Sequence, residues 1–403
     1  MSVIEETTLV YVASNQNSNK FYSLTLHDDG TVDKRWGRVG ATGQHQRVSG
    51  GRRVYDTTID QKCRKGYEVV PTSTDTAPIA PLAMATIAAT AMQVADADSD
   101  ARDLVARIAR ANRHTIETTS GGRISTSTSG ARTALGAITP AAVDQARALL
   151  HSISRHRAAN ELWTPLLDRY LTLVPQAVPA RAGWAEHFFD ARGSLREQYR
   201  LLDALQTATT IDADATFRYR IAKVTDRVEH ERVAALFHRT RIHRHPASDL
   251  RVKAVYALTD SADGSAATAA AAKTLGNVRP LWHGTAAGNV LSILSKGLVI
   301  SDVAENGRMF GNGVYLTDQS SKATGYSGTG VWGGRDREHF LLLADVALGR
   351  TLRPAARHEA LRPDVHRRYN AIDVRGGTCG VRNNETIVWD LNQINIRYLL
   401  ELH

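Results

Sequence analysis

Cysteine is almost missing from this chain of 403 residues: Cys63 and Cys379 are its only two. Two thiols cannot supply a cysteine-rich zinc site or a disulfide framework, so a reducing, intracellular setting is expected. Long apolar runs are missing as well. The nearest approach, from Ile79 to Ala95, is mostly alanine and threonine with Pro81 and Gln93 inside it, which reads as low-complexity linker rather than a membrane span. The opening Met-Ser-Val-Ile-Glu-Glu-Thr-Thr has no basic segment followed by an apolar one, so no secretory leader is expected. There is no phosphate-binding P-loop with its lysine. The glycine pattern from Gly328 to Gly333 follows a helix-like segment and so lacks the strand-turn-helix setting of a dinucleotide fold. His230, His238, His243 and His245 lie among arginines without matched cysteine or acidic ligands, which reads as a basic solvated face and predicts no metal.

What is present is a globular composition, 42% hydrophobic and 23% charged. A single core rarely grows past roughly 250 residues, so more than one domain is expected. The formal net charge of +9 favours a polyanionic partner such as nucleic acid, and a generally basic enzyme fits it equally well.

The chemistry concentrates between Leu281 and Tyr326. Leu281 and Trp282 run into His283, and Gly284 lets a backbone approach closely, the pattern of a strand ending in a binding turn. Val290, Ile293 and Leu294 mark one face of a helix that Gly297 stops. Val314 to Thr317 reads as a second strand, entered through Gly311 and Gly313. At the C-terminus, Asn384-Glu385 precedes the strand-prone Thr-Ile-Val-Trp-Asp, an unusual place for a surface carboxylate.

His-Gly-Thr at 283, Met-Phe-Gly-Asn-Gly-Val-Tyr at 309, Ser-Lys-Ala-Thr-Gly-Tyr at 321 and Asn-Glu at 384 together resemble the catalytic domain of the poly(ADP-ribose) polymerases. The resemblance implies a His-Tyr-Glu triad of His283, Tyr315 and Glu385. It also implies NAD+ as the ADP-ribose donor, without a metal. Tyr315 and Tyr326 would sandwich the nicotinamide ring, and the Gly284 backbone would bond its carboxamide. His283, Thr285 and Asn289 would lie near the adenine-side ribose, and Lys322 beside the acceptor end. Glu385 would bond the nicotinamide ribose and polarise the acceptor, and a glutamate there accompanies chain elongation. Three positions depart from the family: Ala323 replaces a carboxamide-binding serine, Val299 an arginine and Arg308 a tyrosine, so weaker NAD+ binding is expected.

From Thr8 to Val70 short β-prone runs alternate with turns, and Asp29-Gly30 marks a hairpin. A short helix is expected near Thr58 to Lys65. Trp36, flanked by Arg35, Gly37 and Arg38, offers a stacking plane with cations beside it; a structural tryptophan beside surface arginines is the other reading. The run Trp-Gly-Arg-Val-Gly, with Ser-Asn-Lys-Phe-Tyr before it and Gly-Gln-His after it, resembles the WGR domain. That resemblance implies contact with 5′-phosphorylated DNA ends through Trp36 and Arg38, with Asn19, Lys20 and Gln44 as further candidates.

Pro71 to Ala97 is read as a flexible tether. Beyond it the pattern turns helical. Thr139-Pro140 and Thr164-Pro165 are read as capped helix starts, Ser194-Leu-Arg-Glu197 as a capping box, and the Gly/Ser/Thr patch from Thr118 to Ser129 as a loop. Leu167-Asp-Arg-Tyr-Leu-Thr-Leu-Val-Pro and Val224-Thr-Asp-Arg resemble parts of the helical domain that restrains NAD+ access in DNA-dependent members.

The expected fold class is multidomain α+β. It has a small antiparallel β WGR domain (1–70), a linker (71–97), an all-α helical regulatory bundle (98–257) and a mixed α/β ADP-ribosyltransferase domain with a split antiparallel sheet (258–403). The expected function is DNA-break-stimulated poly-ADP-ribosylation of protein acceptors, the chain itself included, away from membranes. The expected location is the bacterial cytoplasm and nucleoid, or the nucleus. A mono-ADP-ribosyltransferase and a catalytically inactive DNA-end adaptor are the alternatives.

Overall fold

The alternating runs at the N-terminus form strands β1 (Val3–Ala13), β2 (Ser18–His27), β3 (Thr31–Arg38), β4 (Gln44–Ser49) and β5 (Glu68–Val70), in the sheet order β4-β3-β2-β1-β5. These come from a computed structural model that describes residues 2–39, 41–70, 82–127, 130–133, 136–179, 183–191, 195–211, 216–242, 245, 249–300, 309–328 and 338–403. The β2–β3 hairpin turns at Gly30, whose φ of 78° needs a glycine, and Asp29 Oδ1 accepts from Thr31 N at 2.9 Å. Helix α1 (Gly51–Arg64) starts earlier than the expected Thr58, because Gly50, at φ 134°, turns the chain directly from β4 into the helix. Tyr55 and Ile59 on one side of α1 pack on Leu9, Tyr22, Leu24 and Val32 of the sheet.

Next come α2 (Leu82–Ala91), α3 (Ser99–Thr119), strands β6 (Ile124–Ser127), β7 (Gly130–Thr133) and β8 (Gly136–Ala137), then α4 (Pro140–Ala158), α5 (Thr164–Leu173), α6 (Phe188–Ala191) and α7 (Leu195–Thr210). Three expectations change here. Helix α2 lies inside the stretch read as a flexible tether: alanine is the strongest helix former, yet an alanine-rich helix shows no apolar period. The patch read as a loop contributes β6 to a three-stranded antiparallel sheet, so the helical region is not all-α. Thr139 caps α4, accepting from Ala142 N at 3.1 Å, whereas Thr164 is already the first residue of α5 and makes no cap. Ser194 of the expected capping box lies outside the described residues.

The chain packs as two units, Met1–Met84 with Arg113–Ala213, and Ala85–Asn112 with Asp214–His403. This division runs otherwise than the expected boundaries: it falls within α3 and places part of the helical region with the WGR-like sheet. In that first unit the Asp168 carboxylate of α5 accepts from Ser14 N at 3.1 Å, and Tyr170 Oη donates to buried Gln198 at 2.8 Å.

The second unit continues with β9 (Tyr219–Lys223), α8 (Arg227–Arg239), β10 (Val252–Asp260), α9 (Ala262–Leu275), β11 (Val278–Thr285), α10 (Ala287–Lys296), β12 (Val314–Leu316), α11 (Ser320–Thr324), β13 (His339–Ala347), β14 (Thr351–Leu352), β15 (Ala371–Val374), β16 (Glu385–Val388) and β17 (Ile394–Leu402). One sheet runs β11-β13-β17-β10-β9 and the other β12-β16-β15-β14. All pairs are antiparallel except β14–β15. The expected split sheet is present, its halves joined where Trp282 N donates to Thr317 O at 2.7 Å and Thr317 N to Trp282 O at 3.0 Å. Trp282 is buried among Leu341, Leu343 and Leu400 and meets Phe237 edge to face at 5.9 Å. The front half of α3 belongs to this unit through three bonds. Asp98 Oδ2 accepts from Lys223 N at 2.8 Å, the Arg107 fork donates to Glu401 at 2.6 and 2.9 Å, and Asn112 Nδ2 donates to Gly288 O at 3.2 Å.

Candidate active site

The bridge between the two sheets determines what comes together. His283 follows Trp282 on β11, Tyr315 precedes Thr317 by two residues on β12, and β12 pairs with β16, whose first residue is Glu385. Three residues far apart in sequence therefore sit on three strands adjacent across the seam. Thr317 fixes the far end by donating from Oγ1 to Asn384 O at 2.8 Å, and Asn384 N donates to Gln319 Oε1 at 3.0 Å.

His283 Nδ1 lies 3.0 Å from the Tyr315 carbonyl oxygen. A carbonyl only accepts, so Nδ1 carries the proton, and in the neutral ring Nε2 is left as an acceptor. Burial pushes the His283 pKa below the ordinary histidine value, which favours that neutral form, although the bond to Tyr315 pulls the other way. The Tyr315 hydroxyl donates to Gly311 O at 2.9 Å and accepts from Phe310 N at 3.1 Å, so the ring is pinned by the turn before its own strand.

Gly284 admits no substitute. A Cβ there would stand 1.7 Å from Ala323 O and 3.2 Å from Tyr326 Cβ, so β11 can pass beneath α11 only with glycine at that position. Thr285 is buried, and Asn289, on the first turn of α10, is half-buried with its Oδ1 lacking a partner among the described residues. Ala323 is buried against the core of the first sheet.

Lys322 on α11 donates from Nζ to Glu385 Oε1 at 2.6 Å and to Asn384 O at 3.2 Å. Both side chains are largely enclosed, 9% and 13% exposed. Burial lowers the Lys322 pKa, while Glu385 and Asp318 act to hold its proton. Glu385 Oε2 is buried and has no partner among the described residues. A half-satisfied buried carboxylate is costly to leave so, and its open oxygen is a ready acceptor for a hydroxyl. Of the three family departures, Val299 is exposed and Arg308 lies outside the described residues.

The sequence reading missed the support behind these groups. Trp282 Nε1 donates to Thr240 Oγ1 at 3.0 Å, and Asn384 Nδ2 donates to Asp318 at 2.9 Å. The polar triplet Thr317-Asp318-Gln319 at the end of β12 was the available signal.

At the other candidate surface, strand register gathers four of the five residues. Lys20 pairs with Arg38, and Trp36 with both Tyr22 and Gln44, so Lys20, Trp36, Arg38 and Gln44 share one face. Asn19 points the other way and is 2% exposed, so it presents no surface to a duplex. Trp36 is half-buried, stacked on Tyr22 at 5.7 Å and 16°, with Lys62 Nζ 3.9 Å over the Tyr22 ring. Arg38 donates to Asn17 O at 3.2 Å and to Pro179 O at 3.3 Å. The glycine between Trp36 and Arg38 is a packing requirement: a Cβ on Gly37 would meet Gly43 Cα at 2.9 Å. Among the described residues no group of three or more histidine, cysteine, aspartate or glutamate side chains could hold a metal, and no helix is long and apolar enough to cross a membrane.

A His-Tyr-Glu seam between two split sheets and a small tryptophan-bearing sheet define a class, and comparison with known proteins gives the same one. The WGR domain model matches residues 5–73, and the poly(ADP-ribose) polymerase catalytic domain model matches residues 227–403. The chain carries the catalytic domain of the poly(ADP-ribose) polymerases together with a WGR domain. Poly [ADP-ribose] polymerase 1 of Gallus gallus is 31% identical over 185 residues, covering 39% of this chain and 18% of that relative. Its namesake in Danio rerio is 32% identical over 157 residues, covering 32% and 15%. Protein mono-ADP-ribosyltransferase PARP4 of Homo sapiens is 29% identical over 137 residues, covering 32% and 8%. The match thus spans no more than 18% of the length of these relatives.

Proposed function

We propose that this chain is an NAD+-dependent protein ADP-ribosyltransferase that elongates its product and is stimulated by DNA strand breaks. The observation that carries the reading is Glu385, one oxygen held by Lys322 and the other open, on the same seam as His283 and Tyr315. Cleavage of the nicotinamide bond builds positive charge on the ribose, and a fixed carboxylate with an open oxygen favours that charge. The same oxygen accepts from a ribose hydroxyl. Nε2 of neutral His283 is a second acceptor, and the faces of Tyr315 and Tyr326 suit stacking on the flat nicotinamide ring.

The mono-transferase has one observation in its favour. Buried Ala323 offers no hydroxyl where the resemblance places a serine, so about 0.5–1.5 kcal/mol of donor binding is lost. For the DNA response, Lys20, Arg38 and Gln44 beside Trp36 support binding to a phosphorylated end, and Arg38 would exchange its carbonyl partners for phosphate.

The test is NAD+ consumption and self-modification, followed on denaturing gels, with and without nicked DNA bearing a 5′-phosphate. A DNA-dependent ladder of lengthening product is expected. A single discrete shift would assign mono-transfer, and DNA binding without NAD+ loss would assign the adaptor.

A further inference from the structure

Three arginines converge on one buried carboxylate beside the seam. Asp373 of β15 is 4% exposed at its side chain. Its Oδ2 receives Arg375 Nη2 at 2.8 Å, Arg353 Nε at 3.2 Å and, more loosely, Arg279 Nη1 at 3.9 Å. Arg353 is 61% exposed and the other two are 40% exposed. Among the described residues Arg279 and Arg353 have no other partner, and Arg375 reaches Asp318 at 3.1 Å. A structural ion pair needs one arginine. Three guanidiniums against the two carboxylates of Asp373 and Asp318 leave positive charge uncompensated, held in planar forks that match phosphate oxygens. The surrounding segment has the same bias: residues 350–382 contain eight arginines against Glu359, Asp364 and Asp373.

The position relative to Glu385 decides what such a cluster could hold. In the β15–β16 pair Val374 faces Glu385 and Asp373 faces Thr386, so Asp373 lies on the opposite side of the sheet from the reacting carboxylate. Arg375, at the strand end, joins the two sides: its Nη1 bonds Asp318, which also holds Asn384 Nδ2 at 2.9 Å, next to Glu385. An anion on the cluster is therefore close to the reaction but displaced around the strand end. We propose that Arg279, Arg353 and Arg375 form a distal subsite for a diphosphate of the acceptor chain, one or more units behind the ribose that reacts at Glu385. This rests on the elongating reading above. Nucleic acid is the competing polyanion. Continuity with Glu385 through Asn384 and Asp318 favours the product chain, whose diphosphates must leave the site along some surface.

The test uses the full chain and the variants R353Q/R375Q and R353K/R375K, with thermal melts confirming that each is folded. After phosphodiesterase digestion, the ratio of internal to terminal ADP-ribose units measures extension against first attachment. Loss of two charge-assisted forks should lower that ratio about tenfold or more in the glutamine variant and less in the lysine variant. A wild-type ratio in R353Q/R375Q would overturn the subsite, as would a parallel fall in first attachment and extension. If the wild type adds only single units, the elongating reading fails, and binding of labelled, protein-free poly(ADP-ribose) decides the subsite separately. Weakening of about tenfold in the glutamine variant retains it, and unchanged affinity removes it. Equal weakening for single-stranded DNA of matched length would assign the cluster to nucleic acid instead.

Discussion

Replacing Lys322 by methionine isolates the support of the Glu385 carboxylate. The ion pair to Glu385 is 2.6 Å long and its members are 9% and 13% exposed, so it is screened far less than a surface pair. Methionine fills much the same volume but leaves Glu385 buried with neither oxygen bonded, because Oε2 has no partner among the described residues to begin with. Removing one partner of a buried pair costs about 3–5 kcal/mol. For a unit of this size that is a fall of about 6–20 °C in its transition temperature. The two packed units make the full chain unsuited to a single two-state fit, so calorimetry should resolve two transitions, of which only that of the catalytic unit moves. The double variant Lys322→Met/Glu385→Gln removes both charges and should recover at least about 1–2 kcal/mol of the summed single losses. A Lys322→Met transition within about 1 kcal/mol of wild type, or strictly additive losses, would show that the pair does not hold Glu385 in place.

Gly284→Ala puts a methyl group where Ala323 O stands 1.7 Å away, so α11 must shift with Lys322 on it and with Tyr326 just beyond its end. NAD+ affinity should fall at least about tenfold by calorimetric titration, about 1.4 kcal/mol, and an unchanged value would remove Gly284 from the donor site. The burial that lowers the His283 pKa predicts an acid-side loss of stability. Above about 6.5, the ordinary histidine value, that contribution is fully present, and it is lost as pH falls through the lowered folded value, because the unfolded chain takes up a proton that the folded ring resists. His283→Gln should flatten the dependence of transition temperature on pH below 6.5, and an identical slope would refute it. Arg38→Ala removes bonds to two carbonyls and should cost about 1–3 kcal/mol in the first unit's transition, together with loss of stimulation by nicked DNA. Full stimulation in that variant would exclude Arg38 from the response.

The sequence by itself determined what its local physics fixes. Asp29-Gly30 made a hairpin because a left-handed residue is needed there, and Thr139-Pro140 began a helix because its hydroxyl and missing N–H suit a first turn. The motifs around His283, Tyr315 and Glu385 named residues that the fold does bring to one seam. Other features had no local signal. Alanine-rich α2 carries no apolar contrast, and β6 becomes a strand only because β7 pairs with it, in a segment whose glycines and serines read as a loop. Tertiary structure alone decided that Asn19 is turned away from Trp36 and buried. It also decided that Arg38 reaches Pro179 and that Asp373 collects arginines from three segments. Strand register and burial arise between distant parts of the chain, whereas a motif records only neighbours along it.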